Sequence, residues 1–189
     1  MPFAAGDSLA LMNANPADLF LQDIRIQARK LKELADKALA QVRDEDLSVT
    51  LDPESNSLAI IVKHMAGNLR SRWTDFLTSD GEKPDRNRDS EFESQGTSRA
   101  DLLASWEEGW SCLFGALDGL TVEDLGKTVL IRSEPHTAVQ AINRGITHAA
   151  YHVGQITFLA KHFASADWKT LSIPRGKSRE FTQAMHGKT

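Results

Sequence analysis

The chain has 189 residues, 41% hydrophobic and 25% charged, with a net charge of -4, which suits one globular domain over 1–189 and excludes disordered, collagen-like and low-complexity classes. The lone Cys112 excludes a disulfide framework; no basic residue precedes Arg25 and no aliphatic run exceeds 58–62, far short of a ~20-residue membrane span, so the expected location is the cytoplasm. With 26 acidic against 22 basic side chains, neither nucleic acid nor a membrane is an expected partner.

Asn15 can cap and Pro16 can open a first helix, with Asp18 placed where the helix dipole favours an anion. Phe20, Ile24, Leu31, Leu34, Ala35, Ala38 and Val42 then recur at helical spacing, which predicts an amphipathic helix over 16–42. Asp52-Pro53 and the polar residues up to Ser57 break the chain. Leu58, Ile61, Met65, Leu69, Trp73 and Phe76 mark a second helix, expected to end near Thr78. The polar stretch 79–96, punctuated by Gly81, Pro84 and Gly96, is too long for a simple connection, and long loops often carry function. Ser98 and Asp101 set a cap for a third helix carrying Leu102, Trp106, Trp110, Leu113 and Leu117, closed by Gly119. The β-branched run 128–131 predicts a short extended connector. Thr137 with Gln140 caps a fourth helix whose stripe runs from Ala138 through Ala149 and Ile156 to Phe163. A tail from Asp167 brings Trp168, Leu171, Ile173 and Phe181 without a clear period. Four long amphipathic helices define an all-α class, a four-helix bundle with a long loop between helices two and three.

Two histidines, His148 and His152, fall on the apolar side of the fourth helix, one turn apart. At that spacing both imidazoles can reach one metal at ~2.1 Å. On the second helix His64 lies on a polar edge strip with Asn68, Ser71 and Asp75, and can complete a three-histidine site if the two helices adjoin. The competing reading is a set of core histidines hydrogen-bonded to one another. A zinc-protease motif fails, because Ala149 stands where the general-base Glu belongs. His136, His162 and His186 show no ligand pattern, Cys112 sits in an apolar setting, and no glycine-rich phosphate loop is present.

The run Val62-Lys-His64-Met-Ala-Gly-Asn68, together with His148-Ala-Ala-Tyr-His152-Val-Gly-Gln155-Ile156, resembles the DinB/YfiT-like superfamily of metalloenzymes. The run from Asn68 through Arg72, Trp73 and Asp75, followed by Gly81 to Pro84 and by Arg88 to Glu93, looks like an uncharacterised bacterial branch of it. The resemblance implies a four-helix bundle, often a homodimer, with a metal ion held by the residues matching its motif: His64, His148 and His152. Imidazole ligands suit Zn, Ni, Cu and Fe, and of these divalent ions zinc or nickel is expected foremost. It also implies relatives that include enzymes similar to bacillithiol, mycothiol and glutathione S-transferases.

An open site of that kind activates a thiol or a water, so the expected activity is thiol transfer to a small molecule, with metal-dependent hydrolysis or a non-catalytic metal-binding dimeric module as alternatives. Asn68, Arg72 and Asp75 on one helix, and Arg144, Tyr151 and Gln155 on the other, are candidates to orient a substrate or support the ligands. No general base is assigned. Arg86, Arg88, Asp89 and Glu91 in the long loop either cap the pocket or form a solvated charged surface.

Overall fold

The computed structural model describes residues 15–93 and 97–186; Gly96, one of the breakers read in the long loop, lies outside them. The described chain is mostly helical. Its elements are α1 (Pro16–Leu39), α2 (Leu58–Trp73), α3 (Arg99–Gly119), β1 (Thr128–Ile131), β2 (Glu134–Thr137), α4 (Ala138–Ala164) and α5 (Ser178–His186).

The caps form as the sequence requires. Asn15 accepts from the Ala17 N–H, Ser57 from Ile60, and Ser98 from Asp101, while Thr137 and Gln140 make a reciprocal capping box. α1 ends at Leu39, three residues before the expected Val42, where the Gln41 and Val42 N–H groups shift to carbonyls three residues back. α2 ends at Trp73, well before Thr78. Thr74 turns extended and Asp75 takes the left-handed region at φ 50°, although the apolar period runs on through Phe76.

α2 is the central helix, buried on nearly every side; it packs on α3 and α4, and α1 packs on the same two. The four enclose one apolar core in which Trp106, Trp110, Leu113, Ile142 and Ile156 are fully buried. The expected connector at 128–131 is one arm of an antiparallel hairpin, in register Thr128 with Thr137 and Ile131 with Glu134. Val129 and Ile131 turn inward onto Ala138 and Ala141. Gly81 N–H donates to the Leu130 carbonyl at 2.8 Å, which ties the segment after α2 to this hairpin. In the tail, Trp168 and Leu171 pack on the core, whereas Ile173 and Phe181 are exposed. Among the described residues no helix is long and apolar enough to cross a membrane.

Candidate metal centre

α2 and α4 adjoin, and this brings His64 against His148 and His152. The His148 Nε2 lies 3.4 Å from the His64 Nε2 and 3.2 Å from the His152 Nε2. Two nitrogens bound to one tetrahedral ion at ~2.1 Å stand ~3.4 Å apart, so the spacing matches a shared ion. Each histidine offers one donor atom to a group whose members all lie within 4.8 Å of one another, and no fourth His, Cys, Asp or Glu belongs to it among the described residues. A closed structural zinc site has four protein ligands.

Proton counting separates a metal site from a hydrogen-bonded cluster. The His64 Nδ1 lies 2.9 Å from Glu91 Oε2, and the His152 Nδ1 lies 2.7 Å from Gln155 Oε1. Both partners offer an oxygen acceptor, and a neutral ring that donates its Nδ1 proton to that oxygen keeps a lone pair on Nε2. The His148 Nε2 has at most one proton for two such neighbours, so direct hydrogen bonding pairs it with only one of them, whereas a shared cation takes a lone pair from all three. Fixing the outer nitrogen by a carboxylate or amide is the arrangement that orients imidazole ligands on metals.

Glu91 comes from the short helical turn Asp89–Phe92 in the long loop. Arg86 grips it in a fork, with Nε at 2.8 Å from Oε1 and Nη2 at 2.9 Å from Oε2. Gly67, one turn after His64, makes room: a Cβ there would stand 2.2 Å from Glu91 Oε1. Burial alone would raise the Glu91 pKa, but the His64 and Arg86 hydrogen bonds and the Arg86 charge outweigh it and hold the carboxyl below its usual range. His148 is pushed down to about 4, first by burial and then by His152, His64, Arg72 and Arg86. Burial likewise lowers His152, against the Gln155 hydrogen bond. Neutral imidazoles at neutral pH are the form a metal needs.

Asn68, Arg72 and Arg144 line a cavity beside His64 and His148. Gln155 faces the other way, supporting His152, and the Tyr151 hydroxyl accepts from its Nε2 at 3.3 Å on an exposed flank. Asp75 does not belong to the polar strip: with α2 over at Trp73, it lies exposed and lines a groove between α2 and α3 instead. Sequence reasoning left Arg86 and Glu91 between pocket and solvated surface; Glu91 is the buried partner of His64, and Arg86 is the buried partner of Glu91. Glycine at 67, one turn from a candidate ligand on a helix otherwise crowded with side chains, is the sequence feature that marks where another group comes close.

Over residues 15–177 the chain matches the family described as a protein of unknown function, DUF1572, and it belongs to that family. The family is DinB/YfiT-like. No curated protein matches the chain.

Proposed function

We propose that the chain is a DinB-like four-helix bundle, one domain over 1–189, in which His64, His148 and His152 hold a divalent ion, zinc or nickel foremost, for chemistry on a small molecule. The carrying observation is that the His148 Nε2 lies 3.4 Å from that of His64 and 3.2 Å from that of His152, with the outer nitrogens of His64 and His152 against Glu91 and Gln155. The ion would supply positive charge that favours the deprotonated form of a thiol or water. The chain's own residues set the tautomers, keep His148 neutral and present the Asn68 amide to the cavity.

Thiol transfer is the preferred reaction: an S–C bond forms at an electrophilic carbon, the leaving group departs with its electron pair and the thiol proton goes to solvent. Hydrolysis of the same class of small molecule is the alternative, and a non-catalytic metal-binding module is a further outcome. The donor count of three, one fewer than a closed structural site requires, favours an enzyme. The working form is a homodimer in the cytoplasm.

Elemental analysis of the purified chain beside His148→Ala tests the site. Stoichiometric metal in the parent and little in the variant is expected; equal, negligible metal in both removes the proposal. A panel of thiols and electrophiles, assayed with and without chelator, then separates transfer, hydrolysis and passive binding.

A further inference from the structure

The cavity beside His64 and His148 has a volume of about 240 Å³ and is walled by α2, α4 and the β1–β2 hairpin. Trp73, Phe76, Val129 and Ile131 give it an apolar body. Its charged lining is of one sign: Arg72, Arg86, Arg88, Arg132 and Arg144 face it, with no carboxylate among the described lining residues. The nearby acids are already shared. Glu91 is held by Arg86 and His64, and Glu82 is divided among Arg132 at 3.1 Å, Arg86 at 3.3 Å and Arg72 at 3.7 Å. Asp80 spends its oxygens on the backbone N–H groups of Glu82, Arg132 and Ser133. Among the described residues Arg144 has no carboxylate partner; its Nη1 lies 3.3 Å from the His136 Nε2.

Arg72 stands on α2, with its side chain 15% exposed. Among the described residues its buried Nη1 has no hydrogen-bond partner, and a charged donor left unmet out of water carries a desolvation penalty. Burial, then Arg144, Arg132 and Arg86, hold its pKa down, with Glu82 alone opposing among the named charges. Arg132 reaches the cavity from a hairpin turn in which it and Ser133 adopt φ of 54° and 64°, left-handed values that non-glycine residues rarely take. The Asp80 carboxylate stabilises that turn by accepting both N–H groups, at 2.8 and 2.7 Å. The left-handed turn and the unmet donor thus accompany a lining that joins five guanidinium groups to aromatic and aliphatic side chains.

We propose that this cavity recognises its small molecule by an oxyanion, a carboxylate or phosphate seated between Arg72 and Arg144, with an apolar body lying along Trp73 and Phe76 towards the histidines. The inference deepens the small-molecule reading above by naming the chemical class of the substrate. A guanidinium fork matches either oxyanion through paired N–H donors.

Titration calorimetry of the full chain, metal-loaded and metal-stripped, tests it with benzoate, its neutral analogue benzamide and inorganic phosphate. Benzoate is expected to bind, with benzamide at least about tenfold weaker, and Arg144→Gln is expected to weaken benzoate by about tenfold or more. Arg29→Gln, which removes the same charge far from the cavity, should change benzoate affinity by less than about twofold. Because Arg72→Met disturbs a buried side chain, the exposed Arg144 carries the test. Competition by phosphate assigns recognition to the oxyanion in general, and its failure assigns it to carboxylates; either upholds the proposal. Equal binding of benzamide and benzoate, or an Arg144→Gln titration matching the parent, overturns it. Loss of benzoate binding on metal removal, unaffected by Arg144→Gln, also overturns it by placing the anion on the ion. Arg144-dependent benzoate binding in a chain that takes up no metal would sink the metal proposal alone, and stoichiometric metal without charge-selective binding would sink this inference alone.

Discussion

The two halves of the helical core solve burial in opposite ways. Where α1 meets α3, the interior is aromatic: Trp106 and Trp110 are fully buried in an edge-to-face pair with centroids 5.4 Å apart, and ions stay at the rim, as in Arg29–Asp118 and Lys32–Glu107. Where α2 meets α4, the interior takes in His64, Glu91 and the guanidinium of Arg86, whose side chains are no more than 9% exposed. Burying a charge pair rarely gains stability over apolar packing of the same shape. The polar half is therefore the part of the core whose composition stability alone does not explain, and the site belongs there.

The sharpest way to break this division is to damage the dry half. Trp110→Ala should cost ~3–5 kcal/mol in denaturant unfolding, because it removes a fully buried ring and leaves a cavity. The folded fraction should still bind metal like the parent. A folded Trp110→Ala protein devoid of metal would show that the halves are not separable.

Glu91→Ala attacks the wet half. It leaves the His64 Nδ1 without its partner and Arg86 with Glu82 alone, for ~1–3 kcal/mol of stability, and frees the His64 tautomer, for a ~10–100-fold loss of metal affinity. Gly67→Ala should produce the same pair of effects more mildly by displacing the Glu91 carboxylate. Unchanged metal affinity in both variants would remove Glu91 from the site.

These two residues also mark where the sequence stops being legible. The caps at Asn15, Ser98 and Thr137 act over two or three residues, and His148 and His152 lie one helical turn apart, so both signals survive in the linear chain. The end of α2 does not: the apolar period continues through Phe76, and the break at Thr74 and Asp75 accompanies docking of Gly81 on the distant Leu130. Glu91 meets His64 across 27 positions from a loop without periodicity, and no local pattern encodes that pairing. The Arg132 turn carries neither Gly nor Asn, and its left-handed backbone goes with acceptors supplied by Asp80, 52 positions away.

Acidification should act on the wet half of metal-free protein, moderated by the partial exposure of His148. In the folded state its pKa is about 4, against 6.5 for the free side chain. Above pH ~6.5 both states hold a neutral ring and stability is insensitive to this group; between ~6.5 and ~4 the unfolded chain binds a proton that the folded one does not, so stability falls as pH falls. Below ~4 both are protonated and the slope from this group disappears. His148→Gln should flatten the curve within that window. An unchanged curve would mean that the ring is not desolvated as described.

The smallest effect tests the rim of the dry half. Arg29 and Asp118 meet at 2.8 Å with side chains 56% and 50% exposed, so water competes for both. Single substitutions there mix several contacts, because Arg29 also lies over the Phe114 ring at 4.9 Å and Arg25 stands 3.9 Å from Asp118. The cycle of Arg29→Ala, Asp118→Ala and the double variant cancels those contributions and isolates the pair. Its coupling energy should be ~0.2–1 kcal/mol and shrink in salt, since exposed pairs gain little and are screened beyond ~10 Å at 0.1 M. A coupling above ~2 kcal/mol, persisting at 1 M salt, would mean that the α1–α3 half also depends on a desolvated ion pair, and the contrast between the halves would no longer single out the histidines.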